Sequence, residues 1–252
     1  VTYLCVPLAR RLALRLDAVD YPSARRVNKR PTPRMGGVAM AAGIAAALIV
    51  EVAGEYFLGW AGFYIHGTGG DINHAGVMCG LLMIVCVGAM DDVYSLKPSV
   101  KFAGQILGAS VIAASGLLLS SIANPLGAGF IQFGWLSYPL TVLYLVCFMN
   151  VINLIDGLDG LAAGIAAIAA LFLFLIAFGR GLEETAMLSI ILLGVTLAFL
   201  RYNFAPASIF MGDSGSLLLG AMIGVISLMG VMRSPTVIVL AVPLVIAAIP
   251  IA

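Results

Sequence analysis

The 252 residues are 62% hydrophobic and only 10% charged, with a formal net charge of +1. Soluble domains carry about 25% charged residues, so this composition excludes an ordinary soluble protein and indicates an integral membrane protein. The chain has no block of basic residues typical of nucleic-acid binding, and we expect no nucleic-acid partner. The four cysteines lie in or beside apolar runs and form no Cys-x-x-Cys motif, so we interpret them as small apolar side chains.

Apolar runs of the length needed to cross a bilayer, about 20 residues, recur along the whole chain. The expected fold class is all-α, a single polytopic membrane domain over residues 1–252 with a bundle of about nine transmembrane helices. The expected helices are a partial one ending near Leu16 and spans near 36–57, 75–90, 101–122, 137–153, 160–178, 186–201, 215–232 and 236–252. The sequence starts and stops inside apolar runs and lacks a starting Met, so we expect the whole protein to be longer at both ends.

The distribution of Lys and Arg predicts the orientation. If the loop 17–35 is cytoplasmic, alternation of the spans places every one of the 13 basic residues inside except Arg180 and Arg233. The same alternation brings several polar residues to the cytoplasmic face: Asp91, Asp92, Asn153, Asp156, Asp159 and Asp213. We therefore expect one site, at the cytoplasmic face of the membrane.

The first of four polar clusters at that face runs from Asp20 to Gly37. Basic residues beside a membrane commonly satisfy the positive-inside rule and attract anionic lipid, which is the simpler interpretation. The run Pro-Thr-Pro-Arg-Met-Gly-Gly favours an anion site in addition, because Gly36 and Gly37 at a helix start would expose backbone N–H groups that suit an anion. Arg34, within this run, is a candidate substrate-binding residue.

The second cluster contains Asp91 and Asp92, followed by Lys101 and Gln105. Adjacent carboxylates repel each other and are tolerated best where a divalent cation or a lysine lies nearby. Lys101 and Gln105 are four residues apart and share one face of the next helix. A solvated loop with a charge pair is the alternative.

The third cluster is the stretch from Asn150 to Ala162, where Asn153, Asp156 and Asp159 lie between long apolar runs. A carboxylate held near a bilayer is costly unless it meets a cation, a partner or water, so such residues are functional candidates. A helix end capped by aspartate is the alternative.

The fourth cluster, residues 201–216, contains Asp213 between small residues where the chain re-enters the membrane. Asp213 suits either a metal ligand or a helix cap, and Phe210 either a core position or a platform for a base. Hard oxygen ligands beside Lys and Arg favour Mg²⁺ and phosphate, and no P-loop motif is present. The residues thus indicate phosphoryl chemistry on a membrane substrate.

Three motifs carry a resemblance to a known family: GAMDDVYSLKPSVKFAGQ (88–105), NVINLIDGLDGLAAG (150–164) and FAPASIFMGDSGSLLLG (204–220). Over residues 17–252 the chain resembles the polyprenyl-phosphate N-acetylhexosamine-1-phosphate transferases of glycosyl transferase family 4. The resemblance implies transfer of a sugar 1-phosphate from a UDP-sugar to a polyprenyl phosphate such as undecaprenyl phosphate, with release of UMP. It also implies a Mg²⁺ cofactor, with Mn²⁺ as the alternative ion, a homodimer, and a place in the bacterial inner membrane.

The resemblance implies roles for particular residues: Asp91, Asp92 and Lys101 as catalytic residues, Asp213, Asp92 and Asn153 as metal ligands, and Asn153, Asp156, Asp159, Asn203, Phe210 and Arg34 in substrate binding. One aspartate of the pair would orient or deprotonate the lipid phosphate, and Lys101 would neutralise phosphate. Phe210 would lie under the uracil.

The loop DYPSARRVNKRPTPRMGG is similar to the branch that uses UDP-N-acetylglucosamine to start O-antigen, teichoic acid or related glycans. The peptidoglycan branch, which uses UDP-MurNAc-pentapeptide and is the alternative, has Thr where this chain has Arg34. Two departures from the GlcNAc branch concern sugar recognition. Asn28 stands where that branch often has His, and the chain ends before the family's His-rich loop.

Two further classes compete with this interpretation. The CDP-alcohol phosphatidyltransferases need an Ala-Arg after the first Asp-Gly, whereas Asp159-Gly160 is followed by Leu-Ala-Ala-Gly. A transporter would place ionisable residues near the bilayer midplane in paired halves, whereas these carboxylates gather at one face and no internal repeat is visible.

Overall fold

A computed structural model describes residues 1–22, 31–59, 72–124 and 129–233. Eight α-helices form this part of the chain: α1 (Thr2–Arg15), α2 (Gly36–Leu58), α3 (His74–Tyr94), α4 (Pro98–Ala114), α5 (Ser137–Ile155), α6 (Leu161–Gly179), α7 (Glu183–Asn203) and α8 (Gly212–Arg233). Two short antiparallel pairs join them, β1 (Val19–Asp20) with β2 (Thr32–Pro33) and β3 (Ser121–Ala123) with β4 (Phe130–Gln132). The all-α class expected from the apolar runs is confirmed.

Six of these helices are long and apolar enough to cross a membrane, namely α2, α3, α5, α6, α7 and α8. Helices α1 and α4 are shorter, with 14 and 17 residues. The predicted count of about nine spans is therefore not confirmed by the described residues. The last expected span, 236–252, lies outside them.

The largest departure from the expected spans is at α4, predicted over 101–122 but ending at Ala114. Gly116 adopts φ +90°, which turns the chain away from the helix axis, and the following residues lead into β3. Leu117 and Leu119 are buried, at 0% and 9% exposure. The apolar run thus reflects burial of an irregular segment, and hydropathy alone does not distinguish that from a helix.

Helix α8 is the centre of the bundle, since 94% of its apolar window is buried against 39–44% for the other five candidate spans. It packs against α2, α3, α5, α6 and α7. A helix that is apolar on all sides belongs in such a central position. Its glycines allow close approach: a Cβ on Gly220 would lie 2.6 Å from the backbone of Met149 in α5.

Consecutive helices run in opposite directions, so one end of the bundle collects several helix termini. At this end, which we call the polar end, α3, α5 and α7 finish and α4, α6 and α8 begin. The described residues of all four polar clusters lie at the polar end. The fold therefore brings together residues that are more than 100 positions apart, such as Asp92 and Asp213.

Candidate active site

A cation and three oxygens meet at the polar end. The Lys101 ammonium in the first turn of α4 lies 2.6 Å from Asp213 Oδ2, 3.2 Å from Asp91 Oδ2 and 3.3 Å from Asn153 Oδ1. These oxygens come from α8, α3 and α5. The side chains of Lys101, Asp91 and Asp213 are 17%, 10% and 23% exposed, so the group is shielded but reachable. Such a centre can bind an anion or exchange one cation for another.

The tight turn between α3 and α4 explains why Asp91 and Lys101 meet. Ser95 ends α3 in a left-handed conformation, with its N–H donating to the Asp91 carbonyl, and Pro98 starts α4 at a position where its missing N–H costs nothing. The Leu96 N–H donates to Asp91 Oδ1 at 2.7 Å, which leaves Oδ2 directed at Lys101.

Asp92, the neighbour of Asp91, has different surroundings. It is 2% exposed, and its oxygens accept hydrogen bonds from the Asp213 N–H at 2.7 Å, the Ser214 N–H at 3.1 Å and the Ser214 hydroxyl at 2.6 Å. Adjacent residues of a helix point about 100° apart, so the two carboxylates of the pair face different sides of α3. The family resemblance implies catalytic roles for both aspartates and a metal-ligand role for Asp92, whereas in the structure Asp91 is the one of the pair that faces Lys101.

Asn153 is held by three partners. Its amide nitrogen donates to Asp213 Oδ1 and, at 2.8 Å, to the Ser216 hydroxyl, while its amide oxygen faces the Lys101 ammonium. Ser214 and Ser216 are absent from the site predicted from sequence. The sequence feature that could have indicated them is the presence of hydroxyls in the first turns of an otherwise apolar helix, since buried polar groups need hydrogen-bond partners.

A second polar pair lies one helical turn further into the bundle. The Asn150 amide donates to Gln105 Oε1 at 2.6 Å and to the Val146 carbonyl at 2.8 Å. The expectation that Lys101 and Gln105 share a helix face is confirmed, because both contact an asparagine of α5.

The loop between α5 and α6 is tied to the loop between α7 and α8. Asp159 Oδ2 accepts the Ala207 N–H at 2.9 Å. The buried Asn203 accepts the Gly160 N–H at 3.1 Å and donates to the Ile209 carbonyl at 3.0 Å. Asn203 therefore holds these two loops together at the polar end.

Asp156 follows the last residue of α5 and is half-buried. Burial raises the pKa of its carboxyl well above the usual range, and the negative charges of Asp213 and Asp92 raise it further. The Asp156 carboxyl is thus close enough to Asp213 and Asp92 to be affected by their charges, although it lies outside the shell of oxygens around the Lys101 ammonium.

Replacing Asp156 by asparagine is expected to raise the melting temperature in buffer free of divalent cations at pH 7 to 8. Because the folded-state pKa is raised, the protonated carboxyl favours folding, and this contribution is lost as the pH rises through that pKa. The advantage of Asp156→Asn should therefore shrink as the pH falls, in melting curves across a pH series. Asp159→Asn, a matched change at an exposed carboxylate, is expected to give no such gain. A pH-independent advantage of Asp156→Asn would contradict this account.

The Gly36-Gly37 amides do not face an anion, contrary to the interpretation from sequence. Gly36 N–H donates to the Phe210 carbonyl at 3.0 Å and Gly37 N–H to the Met211 carbonyl at 2.9 Å, while the Phe210 N–H donates to the Pro33 carbonyl at 2.8 Å. These bonds fasten the start of α2 to the segment before α8, and the half-buried Phe210 is held at this junction.

Arg34 lies beside this junction. Its backbone N–H donates to the Ala18 carbonyl at 2.8 Å, which extends the β1–β2 pairing. Its side chain is half-buried, and within the described residues its Nε has no hydrogen-bond partner. Asn28, the departure noted in the sequence, lies outside the described residues.

The donor set fits a divalent cation of the hard type. Within the described ranges, no group of three or more His, Cys, Asp or Glu side chains is arranged to hold a metal ion. The oxygens around Lys101 Nζ instead come from two carboxylates and one amide. This set suits Mg²⁺, which takes one or two protein carboxylates and keeps oxygens of water and substrate phosphate. The ammonium at the convergence point shows that these oxygens favour a cation there.

Fold and site together define an integral membrane protein with an oxygen-rich, cation-bearing centre at one end of a helical bundle. The chain belongs to glycosyl transferase family 4, whose sequence model matches residues 74–231, more than half of the chain. This confirms the family that the three motifs predict. The matched residues include Asp91, Asn153 and Asp213, whose oxygens lie around Lys101.

Named relatives agree with the family. A Bacillus subtilis protein named "Probable undecaprenyl-phosphate N-acetylglucosaminyl 1-phosphate transferase" is 38% identical over 248 residues, 98% of this chain and 65% of the relative. A Mycolicibacterium smegmatis "Decaprenyl-phosphate N-acetylglucosaminephosphotransferase" is 38% identical over 237 residues, 90% of this chain and 57% of the relative. A Limosilactobacillus fermentum "Phospho-N-acetylmuramoyl-pentapeptide-transferase" is 30% identical over 211 residues, 79% of this chain and 60% of the relative. The chain thus spans 57 to 65% of the length of these relatives.

Proposed function

We propose that the whole protein transfers N-acetylglucosamine 1-phosphate from UDP-N-acetylglucosamine to undecaprenyl phosphate or a related polyprenyl phosphate and releases UMP. The observation that carries this proposal is the convergence of oxygens from α3, α5 and α8 on the Lys101 ammonium, in a chain of glycosyl transferase family 4. The relatives named for N-acetylglucosamine are 38% identical to this chain, and the one named for N-acetylmuramoyl-pentapeptide is 30% identical. This difference supports the sugar inferred from the loop before α2.

The transfer is a displacement at phosphorus. An oxygen of the lipid phosphate attacks the phosphorus that carries the sugar, the bond from that phosphorus to the bridging oxygen breaks, and UMP leaves with that oxygen. The product is a polyprenyl diphosphate sugar. Asp91 Oδ2, the oxygen of its carboxylate that faces Lys101, is the group we assign to orient the lipid phosphate and to accept its remaining proton.

Asp213 and Asn153 are the residues we assign to hold Mg²⁺, or Mn²⁺ as the alternative. When bound, the ion neutralises the negative charge of the donor diphosphate. Lys101 supplies a second positive charge. Because its ammonium contacts the oxygens of Asp91, Asn153 and Asp213, it can give up these contacts and bind a substrate phosphate instead. Binding of substrate and cation would thus replace the contacts between Lys101 and the three oxygens with contacts to the phosphate and the ion.

The donor nucleotide is proposed to lie against the two tied loops of the polar end. Asp156 and Asp159 lie in the turn between α5 and α6, and the half-buried Phe210 precedes the first residue of α8 by two positions. We propose that Phe210 is the platform for the uracil and that Arg34 contacts the donor phosphate. Asn203 supports this pocket through its hydrogen bonds to Gly160 and Ile209.

The polar end is proposed to face the cytoplasm in the bacterial inner membrane. Arg15, Arg34, Lys97 and Arg201 lie at or next to helix termini of this end, in agreement with the positive-inside rule. A homodimer is implied by family resemblance and is tested by the mass of the detergent-solubilised protein.

The experiment that tests the function supplies the full-length protein, in detergent, with undecaprenyl phosphate, Mg²⁺ and a panel of radiolabelled UDP-sugars. A labelled lipid product with UDP-N-acetylglucosamine, together with UMP, is the expected result. Turnover only with UDP-MurNAc-pentapeptide or UDP-N-acetylgalactosamine would keep the family and overturn the proposed sugar. Lack of turnover with every UDP-sugar, from folded protein, would overturn the proposed reaction.

A further inference from the structure

Asp92 is buried on the side of α3 that faces the start of α8. Its three hydrogen bonds all come from the first two residues after Gly212: the Asp213 N–H, the Ser214 N–H and the Ser214 hydroxyl. The N–H groups of a helix's first turn have no partner within their own helix and carry partial positive charge. Asp92 therefore acts as an N-cap that one helix supplies to another.

The backbone at this junction is shaped for the contact. Gly212 has φ +71°, and a Cβ on it would lie 2.5 Å from Asp92 Oδ1. A Cβ on Gly88, one turn before Asp92, would lie 2.6 Å from the Asp213 carbonyl oxygen. Two glycines thus allow α3 to approach the start of α8 closely enough for the carboxylate to bond to its backbone.

The carboxylate of Asp92 has little left to offer a metal or a substrate. A carboxylate has about four lone-pair sites, and three are directed at α8 in a side chain that is 2% exposed. Asp91 differs, because one of its oxygens accepts the Leu96 N–H and the other faces Lys101. The two aspartates therefore have separate tasks.

We propose that Asp92 is a positioning residue, which fixes the first turn of α8 so that the Asp213 carboxylate meets Lys101 and Asn153. The proposal rests on the proposed function, because it assigns a task within that reaction. Asp213 is bonded to Asp92 through its backbone and to Lys101 and Asn153 through its side chain. A shift of the α8 start therefore moves the Asp213 oxygens directly.

The test is a double-mutant cycle on the full-length protein with Asp92→Asn, Ser214→Ala and the double variant, assayed by UMP release. A positioning role predicts that Asp92→Asn lowers kcat by roughly 10²-fold, with a smaller change in the KM for UDP-N-acetylglucosamine, since a misplacement of about 1 Å has such an effect. Ser214→Ala is expected to lower kcat as well, because it removes one of the three bonds. The double variant should be no worse than Asp92→Asn, because the two changes act through a shared interaction.

The outcomes distinguish failure of the positioning role of Asp92 from failure of the proposed reaction. Full activity in Ser214→Ala, with a raised Mg²⁺ requirement in Asp92→Asn, would overturn positioning in favour of direct ligation. Strictly additive losses would overturn it too. If Asp92→Asn does not fold, Ser214→Ala decides: a kcat loss at unchanged melting temperature supports positioning, and full activity overturns it. Absence of turnover by the wild-type protein overturns the proposed function, and with it this task of Asp92. The control variant is Glu183→Gln, at the opposite end of the bundle, and its kcat should equal that of the wild type.

Discussion

Lys101→Met is expected to lower the transfer rate by at least roughly 10³-fold and to destabilise the protein in the absence of divalent cations. Methionine keeps the length and apolar stem of the side chain but leaves Asp91 and Asp213 facing each other without a cation. Removing one partner of a shielded ion pair costs about 3 kcal/mol, which should appear as a lower melting temperature in chelator. Adding Mg²⁺ is expected to restore part of the melting temperature but not the rate.

The matched control is Lys97→Met, at the residue immediately before α4. Lys97 is exposed, and no ion pair joins it to another described residue. Its replacement should leave the rate and the melting temperature near wild type. Equal effects of the two lysine changes would show that general positive charge, and not the contacts of Lys101, supports the reaction.

Gly37→Ala is expected to destabilise the whole bundle. A Cβ at this position would lie 2.0 Å from the Gly215 nitrogen and 2.2 Å from the Ser214 carbonyl carbon. Both atoms belong to the backbone of the central helix, so α2 and α8 must separate for the methyl group to fit. Overpacking of this kind costs about 1–3 kcal/mol, and we expect the upper end because no side chain can move aside. Melting curves in detergent and yield after solubilisation measure the effect.

Gly164→Ala provides the comparison within another membrane-spanning helix. A Cβ on Gly164, in α6, would meet nothing within 4 Å. Alanine favours a helix over glycine by about 1 kcal/mol, so this variant should be as stable as wild type or slightly more stable. A Gly37→Ala protein that melts at or above the wild-type temperature would contradict the close packing of α2 on α8.

The helices could be predicted from sequence because a membrane demands long apolar runs. The expected spans 36–57 and 160–178 correspond to α2 (Gly36–Leu58) and α6 (Leu161–Gly179). Hydropathy reports burial in an apolar medium, whatever the backbone conformation. It therefore could not distinguish the buried irregular segment after Ala114 from the end of a helix.

The candidate site could be predicted in part, since alternation of the spans places the polar clusters at one end. The different surroundings of Asp91 and Asp92 could not be predicted, because they depend on the rotation of α3 relative to α8. The same holds for Gly36 and Gly37, whose sequence fits an anion site and a close helix contact equally well. Hydrogen bonds to the carbonyls of Phe210 and Met211 decide for the contact.

UMP release by Asp213→Asn tests the claim that the oxygens around Lys101 form a cation-dependent transfer site. The full-length protein would be assayed with UDP-N-acetylglucosamine and undecaprenyl phosphate over a Mg²⁺ series, beside wild type and Glu183→Gln. We expect Mg²⁺-dependent release in wild type and Glu183→Gln, and a loss of at least roughly 10²-fold in Asp213→Asn that added Mg²⁺ does not fully reverse. Wild-type rates in a folded Asp213→Asn protein, or release independent of any divalent cation, would contradict the claim.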